Sequence, residues 1–369
     1  MLRPVALLAL LLASTPAAAV ETMRISMGDV EGAEVRISGP GLRFGGDSEE
    51  GDFVRVGAAE ARVRRRGGGG LEVNGAPILG DAVRFRAETE SPDAGVAEVA
   101  PLRAGGREVR GEVVVRLAGT RLQLINVLPL EDYLAAVLGS EMPVSFPLEA
   151  LKAQAVAART YALQKKLEAY GSPFHMGSSV LHQVYGGMDR EDARTRAAVA
   201  ATRGQVLTYE LAPIEAYFHA SCGGRTESGA AALQRDLPYL KPVDCPCGEL
   251  PASHWSAQVS TAEMDAALRF ASAGLRTAAR TATGRVSRVA AGARSLDAAQ
   301  LRQRLGYTRI KSLSFDVERN AQGFRFTGRG YGHGAGLCQW GAKVLADRGQ
   351  GYKDILAHYY PGAELQQLY

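Results

Sequence analysis

"NVLPLEDYLAAVLGSEMPVSFPLEALKAQAVAARTYAL" occupies residues 126–163. It holds two helical patterns joined by a turn, and the turn carries a lone carboxylate, Glu141. In the first pattern Pro129 lies just ahead, apolar residues recur at helical spacing, and Gly139 is expected to stop the helix, leaving Glu141 two residues beyond. Glu131 and Asp132 read as first-turn acids favoured by the helix dipole, as does Glu149 in the second helix. That second helix opens at Ser145–Pro147, with Ser145 or Phe146 as the cap and Pro147 in the first turn. Leu148, Leu151, Ala155, Ala158 and Ala162 form its core stripe. Alanine dominates it, so neighbouring elements are able to approach closely and leave the turn little slack.

Upstream, residues 22–127 read as β-rich. "MRISMG", "EVRISG" and "EVVVRLAG-TRLQLINV" alternate apolar and polar residues between glycine turns. Glu112–Leu117 and Arg121–Val127 form an expected hairpin, and Asn74-Gly75 marks another tight turn. The basic run Arg62–Arg66, followed by four glycines, reads as a solvated loop. Downstream, helices are expected at Arg190–Ala201, Thr261–Phe270, Leu296–Leu305 and Tyr352–Tyr359. Strands are expected at Val206–Tyr209 and in "GRVSRVAA", "SLSFDVE" and "GFRFTG", while residues 229–256 look irregular. The fold class is therefore mixed α+β. Residues 20–110 are a β-rich N-terminal portion, and residues 111–369 are an α/β core.

The chain has 369 residues and a net charge of +4, with 46% hydrophobic residues. That balance suits a globular protein and an anionic surface such as a cell wall, and it carries no nucleic-acid signature. Residues 1–19 have the charge, apolar run and small-residue cleavage site of a signal peptide, an uncleaved anchor being the other reading. The run is too short to span a bilayer. The expectation is an exported protein without a transmembrane anchor after cleavage, in the periplasm or cell-wall space.

Glu141 is the leading chemical candidate. A carboxyl among Met142, Pro143 and Phe146 has its ionised form disfavoured, as a general acid requires. A helix-capping or surface Glu is the other reading. Hydrolytic glycosidases use a carboxylate pair, and no second carboxylate stands out. "GRGYGHGAGLCQWGA" lacks the Gly-Lys-Ser/Thr of a phosphate loop. Its alternating glycines let backbone approach a ligand, with Tyr331 as stacking platform and His333 as proton donor, or they build a tight turn around a satisfied histidine.

The four cysteines are Cys222, Cys245, Cys247 and Cys338. His219, Cys222, Cys245 and Cys247 have the donor types of a structural zinc site. A disulfide from Cys222 to Cys245 or Cys247 is the alternative in an exported chain. His175 and His182, flanking the loop before Gln183, are ligand candidates or ordinary polar loop residues.

The long block at 126–163, "HQVYGG" at 182–187, "FHASCGGRTES" at 218–228, "LGYTRIKSLSF" at 305–315 and "GRGYGHGAGLCQWGA" at 328–342 occur in this order. Together they resemble the SpoIID/LytB family over residues 70–362. The resemblance implies a lytic transglycosylase that cuts peptidoglycan glycan strands between N-acetylmuramic acid and N-acetylglucosamine, leaving a 1,6-anhydro end. Glu141 matches the family's catalytic Glu. The missing second carboxylate is then accounted for, because the substrate's own C6 hydroxyl is the nucleophile. No cofactor is required for that chemistry, although some members bind zinc near the active site through Cys and His. LytB-type members are amidase enhancers, so a cell-wall amidase is an implied partner and a non-catalytic wall-binding role the alternative. Cys338 departs from the family's usual Ser. Lys152, Arg159 and Tyr161 are expected to brace Glu141 or contact sugar, with Gln183, Tyr185, Ser221, Arg225, Tyr331, His333 and Gln339 as further cleft residues.

Overall fold

The computed structural model describes residues 21–47, 51–90, 97–177 and 183–369. The expected signal segment and His182 lie outside the described residues. No helix among the described residues is long and apolar enough to cross a membrane. The architecture is mixed α+β. The chain divides into two compact units, one ending at Tyr133 and including Tyr369, the other Leu134–Leu368. The hairpin at 112–129 therefore belongs with the N-terminal strands.

The first unit holds two antiparallel sheets. In one, the strands run in the order Thr22–Asp29, Arg121–Pro129, Glu112–Ala118, Ala82–Glu90, Arg43–Gly46 and Val54–Arg55. Val113, Val114, Val115, Ile125 and Phe85 are fully buried. Their β-branched and aromatic side chains suit a pleated, buried face. Asn126 is buried with them and donates to the carbonyls of Arg110 and Glu112. The second sheet runs Arg107–Val109, Leu102–Ala104, Glu34–Ser38, Glu60–Arg65, Leu71–Val73 and Ala76–Pro77. Its last hairpin turns on Asn74 and Gly75, both at positive φ, as the sequence predicts. The basic run is not a loop. Arg62 and Arg64 lie on the strand Glu60–Arg65, exposed and ion-paired with Glu60 and Glu34, while Ala61 and Val63 alternate into the core.

The second unit is built on helices. Helix α1 spans Leu130–Glu141, its residues from Leu134 onward belonging to this unit, and α2 spans Leu148–Glu168. Gly139 does not stop α1. It lies inside the helix because a Cβ there would collide with the Arg190 carbonyl, so the glycine serves close packing. Glu141 is consequently the last residue of α1. Pro147 occupies the N-cap position of α2, with no side-chain cap bond, in place of Ser145 or Phe146. The predicted stripe is too narrow. Every residue from Ala150 to Leu163 is buried except Lys152, whereas Leu148 is 39% exposed. Helix α3, Ala193–Ala201, is capped by Asp192, which sets its start later than the sequence suggests.

Strands Ala212–Pro213, Gln205–Tyr209 and Glu364–Gln367 form a small antiparallel sheet, and Phe218–His219 pairs in parallel with Leu337–Cys338. Between them lies α4, Gly229–Leu233. A second core gathers Trp255, Val259, Met264, Val286, Leu301, Phe315, Phe324 and Phe326. It lies under α5, Thr261–Leu268, α6, Ala298–Leu305, and two three-stranded antiparallel sheets. Helices α7, Gln339–Asp347, and α8, Tyr352–Tyr359, complete the unit.

Candidate active site

Glu141 ends α1 half-buried, beside Met142 and Phe146, each 3% exposed. Pro143, expected in the same collar, is exposed. The Phe146 ring meets Trp340 edge to face at 4.9 Å, which closes the apolar side from the first turn of α7. The carboxyl is not left bare. Its Oε1 accepts the backbone N–H of Val184 at 2.7 Å, and the Gln339 side chain also hydrogen-bonds it. Both bonds favour the ionised form, yet burial outweighs them and pushes the carboxyl above its ordinary range. No charged side chain contributes to that shift. The result is a single acid, oriented by neutral donors and held toward its protonated form.

Gln339 is placed by its neighbours. It is 5% exposed, and its Nε2 donates to Oε1 of Gln154, itself fully buried in α2, at 3.5 Å. The backbone N–H of Trp340 donates to Ala220 at 3.0 Å. The first turn of α7 is thereby tied both to α2 and to the segment after His219.

The glycine-histidine loop is braced internally. Ser221 and Tyr331 exchange both backbone hydrogen bonds, at 3.0 and 2.7 Å. His333 Nε2 donates to the Phe218 carbonyl at 2.9 Å, and its Nδ1 accepts the Ala335 N–H at 3.1 Å. Both ring nitrogens are thus committed, and burial pushes the imidazole down to about 4. Of the two readings of this loop, the satisfied histidine is the one these contacts describe. Tyr331 is 39% exposed, with the Lys311 ammonium 5.7 Å from its ring centre.

The cysteines converge, but not with the predicted histidine. Cys222, Cys245, Cys247 and Cys338 are all buried thiols, and their sulfurs lie within 4.8 Å of one another. Cys338 replaces His219 as the fourth member, because the parallel pairing sets the two residues side by side and sends the His219 Nδ1 to the Ala335 carbonyl at 3.0 Å. Hydrogen bonds from Cys222 and Cys245 hold the Cys247 thiol far below its usual range, whereas burial pushes Cys338 up.

The SpoIID family, described as stage II sporulation protein, matches residues 118–209. Stage II sporulation protein D of Bacillus amyloliquefaciens is 35% identical over 263 residues, covering 66% of this chain and 76% of the relative. Its namesake in Bacillus subtilis strain 168 is 31% identical over 268 residues, covering 67% and 77%. This chain belongs to the SpoIID family. An amidase enhancer of Bacillus subtilis strain 168 is also similar, 30% identical over 288 residues, although the match covers only 40% of its length.

Several side chains that the sequence marked in this SpoIID protein have other duties. Arg159 is fully buried and donates to the carbonyls of Val199 and Gln205, both at 3.3 Å, so it ties α2 to α3 and does not face solvent. Lys152 pairs with Glu149 at 2.7 Å, which turns it along the helix. Tyr161 packs edge-on against Tyr217 and Phe218, and burial pushes its phenol up to about 12. Gln183 is fully buried and donates to Ala158 at 3.0 Å, so it anchors the segment whose next residue, Val184, reaches Glu141. Tyr185 is 2% exposed. Ser221 is buried against Ser253 at 2.7 Å, beside Cys247, and therefore offers no surface to a glycan. Arg225 is exposed and pairs with Asp244 at 3.2 Å. Of the expected cleft residues, Gln339 alone is shown bonded to the Glu141 carboxyl.

Sequence reasoning missed Gln154, Trp340 and the Val184 N–H. The signal for Gln154 was a polar residue inside a helix buried on nearly every side. For Cys338, the signal was its standing as the fourth cysteine of a chain whose other three already clustered.

Proposed function

We propose that this protein is an exported lytic transglycosylase that cleaves peptidoglycan glycan strands, with Glu141 as general acid and then general base. The observation that carries the reading is the setting of Glu141. Burial raises its pKa, two neutral donors orient it, and no second carboxylate acts on it. Membership of the SpoIID family and likeness to an amidase enhancer support a cell-wall role.

The protonated carboxyl gives its proton to the glycosidic oxygen as the bond to the muramoyl C1 breaks. The resulting carboxylate, steadied by the Val184 N–H and Gln339, takes the proton of the muramoyl C6 hydroxyl. That oxygen bonds to C1 and closes the 1,6-anhydro ring. One carboxyl is restored to its starting state and no water is consumed, which is why a single acid suffices. The raised pKa serves the first step and the two donors serve the second.

The test is product analysis by mass spectrometry after mixing the purified protein with glycan strands alone. Products lighter than hydrolysed ends by one water, absent with Glu141→Gln, are expected. General acid–base catalysis is worth roughly 10²–10⁴-fold, and a lone acid has no substitute. Reducing ends would instead mean a hydrolase. Release only on addition of an amidase would favour the enhancer reading that the similarity to an amidase enhancer suggests.

A further inference from the structure

We propose that Gln339 and Gln154 form a two-position amide relay that turns over as Glu141 gains and loses its proton, with Gln154 the positioning residue that steadies both positions. The proposal deepens the reading of Glu141 as acid and then base, and rests on it. The observation behind it is an orphaned donor. Gln154 is fully buried, and its Nε2 has no hydrogen-bond partner among the described residues. The buried positions around it on α2, Leu151, Ala153, Ala155 and Ala158, are apolar and offer no side-chain acceptor. Buried polar groups are normally bonded, and an amide nitrogen left without an acceptor is costly.

In the arrangement seen, Gln339 serves as a donor on both sides. It bonds the Glu141 carboxyl, and its Nε2 donates to Gln154 Oε1 at 3.5 Å. That suits a carboxylate, which only accepts. A protonated carboxyl has an O–H that needs an acceptor. The oxygen and the NH₂ of a carboxamide are close in size, and the last torsion of Gln is two-fold, so each amide makes half a turn without displacing its neighbours. With both turned, Gln339 Oε1 accepts the Glu141 O–H and, on its second lone pair, the Gln154 Nε2–H. When substrate arrives, the glycosidic oxygen replaces Gln339 as acceptor of the proton. After transfer the amides turn back and donate to the carboxylate. The Val184 N–H, a donor in both states, is unable to follow the proton in this way. Charged groups on the surrounding elements are held elsewhere: Lys152 by Glu149, Arg159 by the carbonyls of Val199 and Gln205, and Arg194 by those of Val144 and Phe146. Neither they nor Arg190, whose carbonyl packs on Gly139, shift the carboxyl.

The test uses the full chain, isotope-labelled at its glutamine amides and glutamate carboxyls and followed by NMR across the titration of Glu141. The Gln154 amide protons should shift with the midpoint of the Glu141 carboxyl, one of them moving downfield on the acid side as it gains a bond, although Gln339 stands between the two. Glu141→Gln and Gln339→Met should each leave the Gln154 signal flat, the second while the carboxyl still titrates. A wild-type Gln154 signal indifferent to that titration would overturn the relay, and so would a shift that survives Gln339→Met. Gln154→Met should lower kcat by roughly 2–10-fold, the worth of one hydrogen bond, with KM unchanged. Failure of glycan cleavage in a protein whose Gln154 signal responds would fell the catalytic reading alone, whereas a flat signal in a cleaving protein would fell the relay alone.

Discussion

Arg159→Met tests whether the most buried cation of α2 is scaffold or sugar contact. Methionine keeps part of the stem and removes the guanidinium, so the carbonyls of Val199 and Gln205 each lose a donor. Thr202 Oγ1 loses a third, weaker contact at 3.5 Å but keeps its own bond to Ala198 at 2.9 Å. A hydrogen bond to a charged group is worth about 1.5–3 kcal/mol, and bonds of 3.3 Å belong at the lower end. Relief of the buried cation's desolvation offsets part of the loss. The net cost should be about 2–4 kcal/mol, which for a unit of this size lowers Tm by roughly 4–16 °C. Urea denaturation should show a lower midpoint at unchanged slope. Below its melting range the variant should bind and cleave glycan with an unaltered KM. A Tm within about 1 °C of wild type together with a raised KM would refute the argument and place the guanidinium on the sugar.

Burial raises the Glu141 pKa, so stability held below the ordinary carboxylate range is lost as pH rises through the folded value. Glu141→Gln should therefore melt above wild type at pH 7, with the gap closing below about pH 4; equal melting at both pH values would contradict this. His333, pushed down to about 4, stays neutral in the fold while the unfolded imidazole titrates near 6.5. Wild-type stability should fall as pH drops from about 6.5 toward 4, and His333→Ala should flatten that fall while lowering stability and activity together at pH 7. A stable, fully active His333→Ala protein would show that the ring braces nothing.

The elements set by local periodicity were legible in the sequence. The hairpin at 112–129, the Asn74-Gly75 turn and the helix Tyr352–Tyr359 need only short-range pattern. Gly139 was misread because its reason lies in the Arg190 backbone, far along the chain. The arginines of 62–66 were misread because charge hid the two-residue alternation of Ala61 and Val63. At the site, Glu141 was visible through its apolar neighbours, and three of the four clustered cysteines through their spacing. Arg159, Gln183 and Ser221 were not placeable, since nothing in a sequence tells a buried polar side chain satisfied by distant carbonyls from one facing a ligand. Cys338 was hidden by the parallel pairing that sets it beside His219.

The contact between Gln154 and Gln339 joins residues 185 positions apart. Glu141 therefore leaves the ribosome long before the amide that steadies it. Contacts closing so long a loop form late, because chain entropy must be overcome before they contribute. A nascent or truncated chain ending before α7 would carry the acid without Gln339, without the Trp340 ring over Phe146 and without the fourth sulfur. The setting of Glu141 cannot be completed on a half-made molecule, so synthesis itself holds it back until the last third of the chain is in place.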